Sequence, residues 1–247
     1  MDTARPASSK EPKRLVSISG IKYLLTHPHQ LKWVITREIH FGQRKKSKRK
    51  WVEWQKYDAN MHIMMMEEHA ELLSVNTLNV DRIKIFNDMV NGIGKDLRIL
   101  DVGCGDGVIS EPLMKMGHFV AAVDLPTVAT SAHKCKVSSI MAGDAETLAF
   151  EDATFDLVIA SEVLEHLWAP ESFIKEAYRT LKPRGYLIIE TPEGIAGLNY
   201  DSHMNFYTVE KLEKMLAPKF TVKKVERLAA TGSAQTPTII VFFEKTA

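Results

Sequence analysis

The sequence predicts an α/β fold, a doubly wound sheet that is mostly parallel with an antiparallel last strand, plus an α-helical amino-terminal extension. Three observations predict it. From residue 95 onward, short and almost continuously apolar runs alternate with helical stretches, the pattern of parallel strands buried on both faces. The first of those runs enters a glycine-rich turn, Asp101-Val102-Gly103-Cys104-Gly105-Asp106-Gly107. Near the end of the chain, two strand-like runs at 221–227 and 238–244 are joined by a Gly/Ser/Pro-containing loop with no helix between them, so this pair is antiparallel.

Composition bounds the rest. A chain of 247 residues with 45% hydrophobic content holds one large domain and an appendage rather than two full domains. The net charge of +1 gives the whole molecule no electrostatic preference, so attraction to an anionic partner must come from a local patch. The two cysteines, Cys104 and Cys135, lack metal-ligand spacing, and Cys104 lies inside the glycine turn, which points to a reducing compartment. No apolar run is long enough to span a bilayer, and no signal-peptide core follows Met1. The expectation is a cytoplasmic protein.

Taken in order, residues 1–14 read as a disordered tail. Residues 15–41 read as two short helices broken at Pro28, followed by the basic run Arg44-Lys45-Lys46-Ser47-Lys48-Arg49-Lys50 and then Trp51 and Trp54. Helix is expected over 51–66 and again over 81–90, where Ile83, Phe86 and Met89 or Val90 share a face and Gly92 is the stop. Residues 15–94 therefore form a helical extension or lid, and 95–247 form the main domain. Within it, strands are expected at 97–102, 119–123, 137–141, 155–161 and 186–190, with a helix over 170–181 stopped by Lys182-Pro183-Arg184-Gly185. Thr208 is the expected N-cap of a helix over 209–216.

The glycine turn carries the chemistry. A pyrophosphate-binding turn uses glycines at G-x-G-x-x-G and offers N–H groups to an anion. Here Val108 occupies the third glycine slot, and Asp101 and Asp106 would repel a dianion and attract a cation. A nucleoside ligand bearing a sulfonium and an ammonium, S-adenosylmethionine, reconciles the turn with its charge. In an open α/β sheet the ligand lies beyond the carboxyl ends of the strands, so acids just after strands carry weight. Asp124 ends the second predicted strand, where it can accept hydrogen bonds from both ribose hydroxyls, and a turn or N-cap aspartate is the structural alternative.

With Asp101, Gly103, Gly105 and Gly107 in an acid-x-Gly-x-Gly-x-Gly motif, and Phe155-Asp156-Leu157-Val158-Ile159-Ala160-Ser161-Glu162-Val163-Leu164-Glu165-His166 as a second anchor, the chain resembles the class I S-adenosylmethionine-dependent methyltransferases over roughly 95–247. It is most similar to the ubiquinone-biosynthesis and small-molecule O-methyltransferase branch. The resemblance implies a Rossmann-like sheet, S-adenosyl-L-methionine as cofactor and a small-molecule acceptor. It places Asp144 at the adenine amino group with Ala145 offering backbone, Ser161 and Glu162 beside the methionine part, and Tyr57 at its carboxylate. The expected cofactor-binding set is thus Tyr57, Asp101, Gly103, Cys104, Gly105, Gly107, Asp124, Leu125, Asp144, Ala145, Ser161 and Glu162.

Methyl transfer to a hydroxyl also needs a base, for which His166 and His203 are the candidates. Glu162, Glu165 and His166 would share one face of a helix and could hold a divalent ion, but a polar helix start with the histidine near the substrate pocket is preferred, and no metal is assigned. Competing functions are N-methylation, a lipid- or nucleic-acid-directed methyltransferase, and a non-catalytic S-adenosylmethionine-binding subunit. Nucleic acid is disfavoured because Ser161-Glu162-Val163-Leu164 stands where amino-methylating DNA enzymes carry Asn/Asp-Pro-Pro-aromatic. For residues 15–54 a solvated loop beside a lid helix is the first reading, and a peripheral membrane contact the second.

Overall fold

The protein is described by a computed structural model over residues 77–126, 137, 139–194, 203–229 and 237–246. The expected tail, the helices within 15–66, the basic run 44–50 and Tyr57 lie outside the described residues.

Helix α1, Thr77–Asn91, precedes strand β1, Arg98–Val102. Helix α2, Ser110–Lys115, leads to β2, Phe119–Asp124, and β3 follows as Ile140–Ala142. Strand β4, Phe155–Ser161, ends in a 3₁₀ turn at Leu164–His166, after which come α3, Pro170–Thr180, and β5, Leu181–Pro192. Helix α4, Val209–Leu216, is capped by the Thr208 side chain as expected, and β6, Phe220–Leu228, and β7, Thr238–Lys245, complete the sheet. The order across the sheet is β3-β2-β1-β4-β5-β7-β6. Strands β1 to β5 pair in parallel, and β7 inserts antiparallel between β5 and β6. The antiparallel last strand expected from the sequence is therefore present.

Alternate residues of each central strand point to opposite faces, and both faces are covered. On one side Ile99, Leu157, Ile159, Ile188 and Ile240 pack with Phe86, Met89 and Val90 of α1 and Leu113 of α2. On the other, Leu100, Val158, Leu187, Ile189, Val241 and Phe243 pack with Phe173 and Ala177 of α3 and Leu212 and Leu216 of α4. Two-sided burial is why the strands read as unbroken apolar runs rather than as alternation. Edge strand β6 departs from strict alternation: Val222 and Val225, three residues apart, pack against the same cluster because a register shift between Val222 and Lys224 inserts one residue.

The helix expected over 81–90 begins earlier, at Thr77, and two further boundary changes bear on the sheet. The third strand does not begin at Val137; it is the edge of the sheet, pairs on one side only, and spans just Ile140–Ala142. The turn at Lys182–Gly185 does not separate the helix from a strand starting at Tyr186. It sits inside β5 as an irregularity, because Phe155 pairs with Leu181 and Leu157 with Tyr186. Asp156, the β4 residue between these pairs, accepts from the Lys182 ammonium at 2.7 Å and from the Arg98 N–H at 2.8 Å, which fastens the excursion to the sheet.

Strand β7 holds β6 to the parallel sheet, and its Phe243 is fully buried against Phe220. Phe243→Ala is expected to cost about 3–5 kcal/mol of stability, the range for deleting a buried aromatic ring. A urea midpoint unchanged from wild type would show that β7 is not part of the cooperative core.

Candidate functional site

The site is built at the carboxyl ends of β1, β2 and β4. After β1 the chain enters the glycine turn, where Gly103, Gly105 and Gly107 all have positive φ. At Gly103 the requirement is also steric, since a Cβ there would lie 2.3 Å from Val163 Cγ2. Val123 O at the end of β2 accepts from the Gly103 N–H at 2.8 Å and the Cys104 N–H at 3.3 Å. Asp124 completes this attachment: one carboxylate oxygen accepts from the Gly105 N–H at 2.8 Å and the other from the Leu125 N–H at 2.7 Å. Among the described residues nothing would meet a Cβ at Gly105 within 4 Å, so they leave open space beside this part of the turn.

Beneath the turn Asp101 is buried and accepts from the Ser110 hydroxyl at 2.5 Å. Burial pushes its carboxyl up to about 6, against the pull of the Ser110 hydrogen bond, and the neighbouring Asp124 adds to the rise. Beyond β3, Gly143 N–H donates to Asp124 O at 2.8 Å, so the loop bearing Asp144 and Ala145 starts beside the Asp124 turn.

At the end of β4, Ser161 joins a group of charges from distant parts of the chain. The Arg82 guanidinium of α1 donates to Glu190 at 2.7 Å and to Ser161 Oγ at 2.8 Å, while Ser161 Oγ also donates to Glu190. Glu190 is buried. Burial works against the charge on Arg82, and Glu190 and then Glu162 more than offset it. The Glu162 carboxyl is pushed up to about 7 by desolvation and by Glu190, and that of Glu165 is pushed well up by desolvation and by Glu162.

The expected helical face of Glu162, Glu165 and His166 is not formed. Glu162 has φ 56, and only Leu164–His166 turns, as a 3₁₀ helix, so i, i+3 and i+4 do not align. A different trio converges instead. Glu165, His166 and His203 place ligand-type atoms within 4.8 Å of one another, and the two imidazoles meet edge to face with centroids 4.7 Å apart. Glu165 is buried, its Oε2 accepts from Thr191 Oγ1 at 3.1 Å, and its Oε1 has no hydrogen-bond partner among the described residues. His203 is brought there by the main chain: the N–H groups of Met204 and Asn205 donate to Glu165 O at 2.7 and 3.0 Å. Asn205 Nδ2 donates to the carbonyls of Leu164 and Leu167 and holds the same two segments together.

Of the residues anticipated from sequence, the structure brings Gly103, Cys104, Gly105, Asp124 and Leu125 into one hydrogen-bonded turn, and His166 against His203. Ser161 lies with Arg82 and Glu190, both of which sequence reasoning missed. Glu190 had a legible signal, an acid near the end of a parallel strand. Arg82, one cation on a helix before the sheet, had none.

The comparisons with known proteins fit this geometry. Residues 100–189, which hold the glycine turn and most of the sheet from β1 to β5, match a methyltransferase domain family. The chain is 34% identical over 108 residues to a ubiquinone biosynthesis O-methyltransferase of Parvibaculum lavamentivorans, covering 39% of this chain and 41% of that protein. It is 30% identical over 188 residues to the mitochondrial ubiquinone biosynthesis O-methyltransferase of Rattus norvegicus, covering 62% and 54%. The chain thus spans about two fifths of the first of these relatives and about half of the other. Among solved structures, the 1,6-didemethyltoxoflavin-N1-methyltransferase of Burkholderia thailandensis, with S-adenosylhomocysteine bound, shares the fold with a TM-score of 0.62 at 20% identity over 79% of this chain and 90% of that one. The N-methyltransferase NodS of Bradyrhizobium japonicum does so with a TM-score of 0.61 at 20% identity over 71% and 91%.

Asp101 gives this site a pH signature. Its folded pKa of about 6 lies above the ordinary aspartate value of about 3.9, so between these values the folded state holds the extra proton. Its contribution to stability therefore falls as pH rises through that window. Asp101→Asn keeps an acceptor for Ser110, and it is expected to remove this slope and add up to about 3 kcal/mol at neutral pH. Urea unfolding of both proteins at pH 4 and pH 7 measures the difference, and a wild-type slope in the variant would rule Asp101 out as its source.

Proposed function

We propose that the chain is an S-adenosylmethionine-dependent methyltransferase acting on a hydroxyl of a small-molecule acceptor. The observation that carries the reading is the acid-lined glycine turn pinned to Asp124, in a methyltransferase domain. The residues suit the cofactor: open space adjoins Gly105 among the described residues, the Asp124 carboxylate stands at the end of β2 where ribose hydroxyls would reach it, and the acids Asp101, Asp124, Glu162 and Glu190 favour a ligand bearing a sulfonium and an ammonium. Bound S-adenosylmethionine supplies a methyl group already activated on sulfur.

The protein's own part is to orient and to move a proton. In this reading Asp124 accepts from the ribose, Asp144 accepts from the adenine amino group beside Ala145, and Ser161, Glu162 and Arg82 face the methionine portion. His166 and His203 stand at the acceptor end, where one imidazole takes the hydroxyl proton as oxygen attacks the methyl carbon in line with the bond to sulfur. The names of the ubiquinone biosynthesis relatives favour an oxygen acceptor over nitrogen. A second reading of this end has its own observation: buried Glu165 Oε1 makes no hydrogen bond among the described residues, lies 3.9 Å from His166 Nε2, and stands with His166 and His203 in a trio of metal-ligand type. Those three residues would hold a divalent cation, whose chemistry there would be to acidify the acceptor hydroxyl.

No helix among the described residues is long and apolar enough to cross a membrane. The basic run 44–50 supports a peripheral contact with an anionic surface as a proposal for residues 15–54.

Screening extracted metabolites with methyl-labelled cofactor tests the activity and finds the acceptor together, and failure of the protein to bind S-adenosylhomocysteine would sink the reading. Asp124→Ala is expected to weaken that binding by about 1–3 kcal/mol, as removal of a charged hydrogen-bond acceptor does; calorimetry giving wild-type affinity would remove Asp124 from the ribose. His166→Ala and His203→Ala are expected to lower turnover, by roughly 10²–10⁴-fold for the residue acting as base, with S-adenosylhomocysteine binding intact. Full turnover in both variants would favour N-methylation. Loss of activity on chelation, restored by magnesium, would support the metal reading, and indifference to chelation would exclude it.

A further inference from the structure

The loop from Gly143 to Thr154 has one long clamp outside the residues assigned to the cofactor, and it comes from α3. Arg179 uses every N–H of its guanidinium there. Nε donates to Glu176 at 3.1 Å, Nη1 to Phe150 O and Asp152 at 2.7 Å each, and Nη2 to Leu148 O at 2.9 Å and Glu176 at 2.8 Å. Glu176 in turn accepts from the Leu148 N–H at 2.9 Å. Both main-chain groups of Leu148 are thus held by one ion pair of the helix. The Arg179 hydrogen bonds keep the Glu176 carboxyl below the usual range.

The same helix grips the loop at its ends. Ala169 N–H, at the start of α3, donates to the buried Glu146 at 2.7 Å, and at its finish Arg179 O and Thr180 O accept from Ala153 and Thr154 N–H at 2.9 and 2.8 Å. Between the Gly143 anchor on Asp124 and the Leu148 anchor on α3 lies the tight turn of Asp144. Thr147 N–H donates to its carbonyl at 3.0 Å, and Glu146 N–H to its Oδ1 at 2.8 Å. That bond orients the carboxylate and leaves Oδ2 for a ligand. With only a few residues between two fixed points, the direction of Asp144 Oδ2 depends on where Leu148 is held.

We propose that Arg179, acting with Glu176, is a positioning residue that sets the nucleobase specificity of the cofactor site by fixing the Asp144 turn. This rests on the reading of Asp144 at the adenine amino group. An exposed Arg–carboxylate pair by itself would contribute little; here the consequence comes from the two loop carbonyls and one N–H that the pair satisfies.

The test is calorimetric binding, by the full chain, of S-adenosylhomocysteine and of S-inosylhomocysteine, in which a carbonyl replaces the adenine amino group and faces the Asp144 carboxylate. Wild type is expected to prefer the adenine compound at least about tenfold, as a site that hydrogen-bonds an N–H rejects an analogue lacking it. Asp144→Ala should bring the two affinities close to equality. Arg179→Ala should do the same, and so should Arg179→Lys, whose single ammonium cannot serve both carbonyls and Glu176 while keeping the charge and fold. Asp152→Ala, which removes only the exposed partner, should leave the ratio at the wild-type value. A clamp that merely stabilises the fold would lower both affinities together, so a wild-type ratio in a folded Arg179→Lys protein overturns the proposal. If wild type binds both compounds equally, the base-contact reading of Asp144 falls and the clamp with it. If it binds neither, the methyltransferase reading itself falls.

Discussion

The whole site depends on how closely the chain at Gly103 passes the turn after β4. A Cβ at that position would stand 2.3 Å from Val163 Cγ2, so only glycine lets the end of β1 lie flush against the end of β4. This approach sets the glycine turn beside the turn that carries Glu162, Glu165 and His166. The Gly103 and Cys104 N–H groups bond Val123 O, and Asp124 bonds back to Gly105, so three strand ends become one rigid rim. A parallel sheet supplies the strands in register; the missing side chain lets their ends meet.

That rim gathers carboxylates where solvent is scarce. Asp101, Glu165 and Glu190 are buried, and Arg82 is the cation that bonds Glu190. Burial raises the pKa of Asp101, Glu162 and Glu165 before any neighbouring charge is considered, so the ligand-free rim carries less negative charge than its composition implies. A cationic ligand would favour the ionised forms, and its binding would release protons.

Most of the fold was legible because each strand's burial is written locally. Phe155–Ser161 and Val209–Leu216 were recovered to the residue, since one is a continuous apolar run and the other an amphipathic stretch with Thr208 ahead of it. The miss at Val137 came from reading an apolar start as strand where the sheet has only one neighbour to pair with. The turn at Lys182–Gly185 was legible as a turn but not as part of a strand, because the Asp156 side chain that fastens it lies 26 residues away from Lys182. The glycine turn and Asp124 followed the same rule, since both are local motifs. Arg82 reaches Ser161 across 79 residues and Glu190 across 108, and no spacing rule finds such a pair.

The helical face of Glu162, Glu165 and His166 was misread for a related reason. Glu162, Glu165 and His166 have helical spacing, and the inference that they share a face assumed a helix that the positive φ of Glu162 prevents. The chain turns in a 3₁₀ step instead, and this directs Glu165 and His166 toward His203, nearly forty residues on. Asn205 explains why that distant histidine is held: its amide bonds the carbonyls of Leu164 and Leu167, while the Met204 and Asn205 N–H groups bond Glu165 O. One half of this trio is thus a turn that follows β4, and the other a loop fixed to that turn by the Asn205 amide and by main-chain bonds. Such bonds leave little trace in residue identity, whereas the glycine turn needs glycine. The glycine turn is consequently readable from residues alone, whereas the meeting of Glu165, His166 and His203 is readable only from geometry.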